Sequence, residues 1–101
     1  MAKIRAIIRR PDEPLAHSAH ISNTLENLQR LVGGYIGAVS IGNGLIVICN
    51  EEGRLRGLPY NCTLNGIDFV GEIAIVGEAG ELFADVPITT REFIKKYLLH
   101  A

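Results

Sequence analysis

Cysteine is scarce: Cys49 and Cys62 are the only two in 101 residues. Two thiols are too few for the disulfide scaffold on which a small secreted domain relies, and both are read as reduced. Long apolar runs are missing too. The longest, Gly44 to Cys49, falls far short of the roughly 20 residues a membrane-spanning helix needs. The opening Met1-Ala-Lys-Ile-Arg5 carries charge but neither an apolar stretch nor a cleavage pattern. Export and a membrane partner are therefore not expected, and the cytoplasm is. In that compartment the sequon Asn61-Cys62-Thr63 is a chance match. Neither sign of charge dominates: ten basic against eleven acidic residues leave a formal net charge of −1. That balance argues against a strong, non-specific nucleic-acid binder but leaves room for a local basic patch.

The recognisable catalytic signatures are missing as well. There is no G-x-x-x-x-G-K-[ST] phosphate loop, no G-x-S-x-G elbow and no H-E-x-x-H. Gly42-Asn43-Gly44 lacks the third glycine and the following helix of a dinucleotide fingerprint. His17, His20, Cys49 and Cys62 are the soft-metal ligands available, and none forms a tight C-x-x-C pair. Zinc would require all four to converge. A Cys62 nucleophile with His20 or His17 would require an activated thiolate. Asp12-Glu13 and Glu51-Glu52 are adjacent acids of the kind turns carry to solvent. No metal and no cofactor is expected.

What is present is globular: 48 % hydrophobic and 21 % charged residues, enough for one small domain over residues 1–101. Lys3 to Arg9 alternates with a period of two, predicting a half-buried strand with Ile4, Ala6 and Ile8 inside. Pro11 to Pro14 stops it, and Ala16 to Ile21 is placed to return beside it. Asn23 and Glu26 are spaced as a capping box ahead of Leu25, Leu28, Leu31 and Val32, with Gly33-Gly34 as the stop. Tyr35–Ile41 and Leu45–Cys49 read as a hairpin around Gly42-Asn43-Gly44. The second of these strands is apolar on both faces and so central. Asn50 to Gly53 reads as a turn with Gly53 left-handed, and Arg54 to Asp68 as an irregular segment. Phe69–Val76 and Leu82–Val86 read as paired strands across Glu78-Ala79-Gly80-Glu81. A closing helix starts at Thr89 with Glu92 completing its cap, Ile88 and Phe93 as a staple, and Phe93, Ile94, Tyr97 and Leu98 as its buried stripe. The expected fold is α+β, a mostly antiparallel sheet of about five strands with two helices packed on one side.

Two basic groups are candidate binding sites. Lys3, Arg5, Arg9 and Arg10 form either a positive strip for phosphates or, more blandly, a solvated face or the charged guard of an edge strand. Arg54, Arg56, Tyr60 and Asn61 lie in the irregular segment, where arginine can fork onto phosphate, tyrosine can stack and asparagine can read a base edge. The bland alternative pairs these arginines with Glu51 and Glu52.

Three stretches carry a resemblance: Val32-Gly-Gly-Tyr-Ile36, Ile48-Cys-Asn-Glu-Glu-Gly-Arg-Leu-Arg-Gly-Leu-Pro-Tyr-Asn61 and Asp68-Phe-Val-Gly-Glu-Ile-Ala-Ile-Val-Gly77. Together they resemble an uncharacterised domain-of-unknown-function family of small proteins from phages, prophages and conjugative elements. The resemblance implies an accessory protein in the cytoplasm of a bacterial host. With no catalytic constellation, the expected role is non-enzymatic counter-defence: binding a nucleotide-derived immune signal at Arg54, Arg56, Tyr60 and Asn61, with a homo-oligomer enclosing the ligand. The alternatives are a surface inhibitor of a host defence protein, a weak nucleic-acid binder through Lys3, Arg5, Arg9 and Arg10, and a cryptic thiol enzyme.

Overall fold

A computed structural model describes residues 3–80 and 82–99 of the chain. Among the described residues eight strands form instead of about five. Six belong to one antiparallel sheet, and two form a separate hairpin.

The alternating start of the chain is β1 (Lys3–Arg9), and the returning segment is β2 (His17–Ser22), paired with it from Lys3↔Ser22 to Ile8↔His17. The other face of β1 is buried too, because Ile7 is fully enclosed, so the half-buried expectation is corrected. Helix α1 (Leu25–Val32) follows, and its N-cap is Thr24, whose side chain accepts from the Asn27 amide. Asn23, expected as the cap, instead sends its Nδ2 to the Phe83 carbonyl. The Gly33-Gly34 stop is as expected: Gly33 is left-handed, and both glycine amides donate to the Gln29 carbonyl.

The next hairpin is β3 (Ile36–Gly42) and β4 (Leu45–Asn50), turned through left-handed Gly42, Asn43 and Gly44. Beyond it, the supposedly irregular segment is largely a second hairpin, β5 (Tyr60–Leu64) and β6 (Ile67–Val70). Its turn, Asn65-Gly66, has positive φ at both residues, as a tight two-residue hairpin demands. The long strand expected from Phe69 breaks at left-handed Gly71 and resumes as β7 (Ile73–Ala79). That break moves the chain from the small hairpin into the main sheet. β8 (Leu82–Ala84) pairs with β7 across Gly80, and Glu81, the end of the expected turn, lies outside the described residues. Helix α2 (Thr90–Phe93) has the full Thr89–Glu92 capping box and continues as a π-helical segment, Ile94–Leu98.

The main sheet runs β2-β1-β7-β4-β3, with β8 also on β7. β1 is therefore interior, and the charged-edge reading of Lys3, Arg5 and Arg9 does not hold. The helices lie on opposite faces rather than one. Leu28 and Val32 of α1 pack on Ile4, Ala6, Ile8, Ile46, Ile48, Ala74 and Val76. Phe93 and the β5–β6 residues Cys62, Leu64 and Phe69 pack on Ile7, Val47, Ile73 and Ile75. Covering both faces is why β4 and the first half of β7 read as apolar runs, and why Ile7 of β1 is enclosed on the face that also carries Arg5 and Arg9. The Cα radius of gyration, 12.4 Å, matches the ~13 Å of a compact 100-residue domain. No described helix is long and apolar enough to cross a membrane.

Candidate functional site

The first basic group is largely absorbed by the fold. Arg5 Nη2 donates to the carbonyls of Val86 at 2.7 Å and Ile88 at 2.6 Å, tying the chain after β8 to β1. Arg9 Nη1 donates to both the carbonyl and the Oδ1 of Asn61, each at 2.8 Å. Arg10 faces Glu72 and Glu13 in exposed ion pairs at 3.3 and 3.5 Å, of the kind that contribute little. Lys3 is exposed at the opposite end of β1 from Arg9.

The second group is dispersed. Arg54 Nη2 donates to the Asp68 carbonyl at 3.1 Å, and Arg56 Nη1 donates to the Gly33 carbonyl at 3.2 Å, closing the C-terminus of α1. The arginines take carbonyls, and neither pairs with Glu51 or Glu52 among the described ion pairs. Asn61 is buried and spends its Nδ2 on the carbonyls of Arg9 and Gly71, so it is turned inward. Tyr60 is 58 % exposed, its hydroxyl 2.6 Å from Thr63 Oγ1.

The same geometry explains the Cys-Asn-Glu-Glu-Gly run. Asn50 Nδ2 donates to the Val32 carbonyl while its Oδ1 accepts the Glu52 amide, joining α1 to the loop after β4. Gly53 is not left-handed. A Cβ there would lie 2.7 Å from Val70 Cγ2, so the position requires space, and the left-handed residue is Gly57.

What the fold does assemble is a cleft of about 890 Å³ between the β3–β4 turn, the β5–β6 hairpin and the C-terminal helix. Arg9, Asn61 and Cys62 line its inner part, and Asn43, Tyr60, Thr63, Asn65, Lys96 and Tyr97 line its sides. Two cations and two tyrosines thus share a cavity that no carboxylate lines among the described residues; the Thr63 hydroxyl on its side donates outward to Asp68 Oδ1. Lys96 Nζ sits 5.8 Å from the Tyr97 ring centroid, a cation–π distance, and Asn43 Nδ2 donates to the Tyr97 hydroxyl. Asn65 Nδ2 holds the Ile41 carbonyl, fixing one hairpin turn against the other. Arg9 Nε is buried without a hydrogen-bond partner among the described residues.

Of the sequence candidates, Arg9, Tyr60 and Asn61 meet here, whereas Arg54 and Arg56 do not. Lys96, Tyr97, Asn43 and Asn65 were missed. The two asparagines carried a signal, an Asn-Gly pair each, the second of which marks a hairpin; Lys96 and Tyr97 carried none, because only the packing of the last helix brings them to these turns.

Burial pushes the Cys62 thiol up to about 11, with the nearby Arg9 charge pulling the other way. Burial, and then Glu51, also raise Cys49. Both thiols are protonated at neutral pH, the opposite of an activated nucleophile. His17 and His20 are exposed on β2, and no group of three or more His, Cys, Asp or Glu side chains gathers among the described residues.

A family model described as Domain of unknown function (DUF3846) matches residues 4–98, and the chain belongs to that family. No curated protein and no solved structure matches the chain.

Proposed function

We propose that this member of the family is a non-catalytic binding module that captures a small nucleotide-type anion in the cleft. The observation that carries the reading is the pairing of Arg9 and Lys96 with Tyr60 and Tyr97 around about 890 Å³, with no carboxylate in the lining among the described residues. Guanidinium and ammonium groups attract phosphate, and tyrosine faces stack on a planar base. Asn43, Asn65 and Thr63 supply short polar side chains for sugar and base edges. The volume falls within the roughly 300 to 1,000 Å³ of small-molecule sites. The resemblance to small phage and mobile-element proteins supplies the role: sequestration of a nucleotide-derived immune signal inside a bacterial host.

A depletion assay tests this. Protein in excess is mixed with linear and cyclic nucleotides and ADP-ribose derivatives, free ligand is quantified, and the protein is then heat-denatured. The expected result is a ligand that disappears and returns intact. A ligand that returns altered would make the protein an enzyme, and no depletion across the panel would remove the reading.

A further inference from the structure

The sheet has two edges of different character. β2 exposes His17, Ser18 and His20, a polar border. β3, Ile36-Gly-Ala-Val-Ser-Ile-Gly42, contains no charged residue and no proline, the devices by which edges are usually kept from pairing. Among the described residues its outer side has no strand partner. A register shift between Ser40 and Gly42 ends the regular part, leaving Ile36 to Ser40 as the usable edge.

Beside this edge lies a groove of about 340 Å³ whose lining includes Gly37, Val39, Leu55 and Ile67. Leu55 is 88 % exposed on its rim, and Tyr35, 65 % exposed, immediately precedes β3. Large apolar side chains left in water around an unpaired strand mark a contact surface. The charges of the groove indicate which partner fits. Glu51 and Asp68 stand with Arg54 on the same lining, so the patch carries both signs. A surface carrying both signs can be self-complementary across a two-fold axis, as a surface of one sign cannot, and an isologous interface requires that self-complementarity.

We propose that the outer edge of β3 is a two-fold interface at which a second copy of this chain pairs antiparallel, extending the sheet across both protomers. A pairing centred on Val39 sets Ala38 of one copy opposite Ser40 of the other, small side chains that let the strands approach. Leu55 and Ile67 cover the joint on the groove side. The inference goes beyond the ligand reading and does not rest on it.

Sedimentation equilibrium of the full chain at tens of micromolar tests the proposal. The wild type is expected at twice its 11.0 kDa mass. The double variant Ala38→Lys/Ser40→Lys, at two exposed positions, sets lysines opposite one another and is expected to sediment as a monomer with an unchanged far-UV spectrum. Leu55→Asp, on the exposed rim where folding is not at stake, is expected to weaken dimerisation at least tenfold. A monomeric wild type, or a dimer indifferent to both changes, would overturn the proposal. So would a monomer whose edge is protected from hydrogen exchange only by a different protein. A monomer that still depletes nucleotides would overturn the interface alone and leave the cleft reading standing.

Discussion

Arg9 and Asn61, 52 residues apart, hold each other reciprocally: Arg9 Nη1 donates to the Asn61 carbonyl and Oδ1, while Asn61 Nδ2 donates back to the Arg9 carbonyl at 2.9 Å. The clamp fastens the small β5–β6 hairpin to β1 of the main sheet, and it forms the inner part of the cleft. One pair of side chains therefore links the stability of the second layer to the shape of the candidate site.

Removing Asn61 should be costly. Asn61→Ala strips the carbonyls of Arg9 and Gly71 of a buried donor and removes the side-chain one of the two acceptors of Arg9 Nη1, a loss of roughly 2 to 4 kcal/mol. Chemical denaturation followed by circular dichroism measures it. A change within half that range would mean that water replaces the clamp.

The cleft and the loop make opposite predictions for binding. Lys96→Ala and Tyr60→Ala should each lower nucleotide affinity tenfold or more with little effect on melting, because both side chains are exposed. Arg54→Ala/Arg56→Ala should leave affinity unchanged, since both arginines point to carbonyls outside the cleft. Isothermal titration distinguishes the two sites, and the reverse pattern would return the ligand to the loop. Binding at the cleft should weaken as salt is raised.

Two glycines should rank differently. A Cβ at Gly77 would fall on the Asp85 carbonyl oxygen, part of the backbone that leads out of β8. Backbone cannot rotate away, so Gly77→Ala should destabilise by about 3 kcal/mol. Gly53→Ala meets the Val70 Cγ2 methyl at 2.7 Å and the Asn50 carbonyl at 3.3 Å, a milder overlap than that at Gly77, and should cost about 1 to 2 kcal/mol. Thermal melts of both variants test the order.

The Cys62 thiol predicts a loss of stability in alkali. Its folded value, about 11, lies above the ordinary 9.0, so between these the unfolded chain releases a proton that the native state retains. Stability conferred by the neutral thiol is complete below about pH 9 and declines as pH rises towards 11. The measurement is the difference in pH dependence between wild type and Cys62→Ala, which isolates the thiol. Identical slopes would show that the thiol is not the source. At neutral pH, Cys62 should resist thiol reagents until the protein unfolds.

Much of the local structure is legible in the sequence itself. The strand from Lys3, the hairpin at Gly42-Asn43-Gly44, the left-handed stop at Gly33 and the Thr89–Glu92 box depend on residues within a few positions of each other. Their physics is short-ranged: a proline that cannot donate, a glycine free of a Cβ, a hydroxyl one turn from an amide. The cap of α1 was misplaced by one residue because Asn23 and Thr24 are both competent caps. The contest was decided by the distant Phe83 carbonyl, which takes the Asn23 amide group.

The sequence alone determined the α+β class, the antiparallel tendency and most element positions, since periodicity and turn chemistry are written within single elements. Tertiary structure decided which faces are covered. Ile7 reads as the odd apolar residue on a charged face until the β5–β6 hairpin and α2 are laid over it. It also decided which residues meet in the candidate cleft. Arg54, Arg56, Tyr60 and Asn61 are neighbours along the chain, yet their side chains go to Asp68, Gly33, Thr63 and Arg9. Lys96 and Tyr97, from the last helix, replace the arginines beside Tyr60. Adjacency in sequence sets which residues share a segment. Burial of apolar surface on both sides of the sheet sets which segments meet, and a binding cleft depends on that second choice.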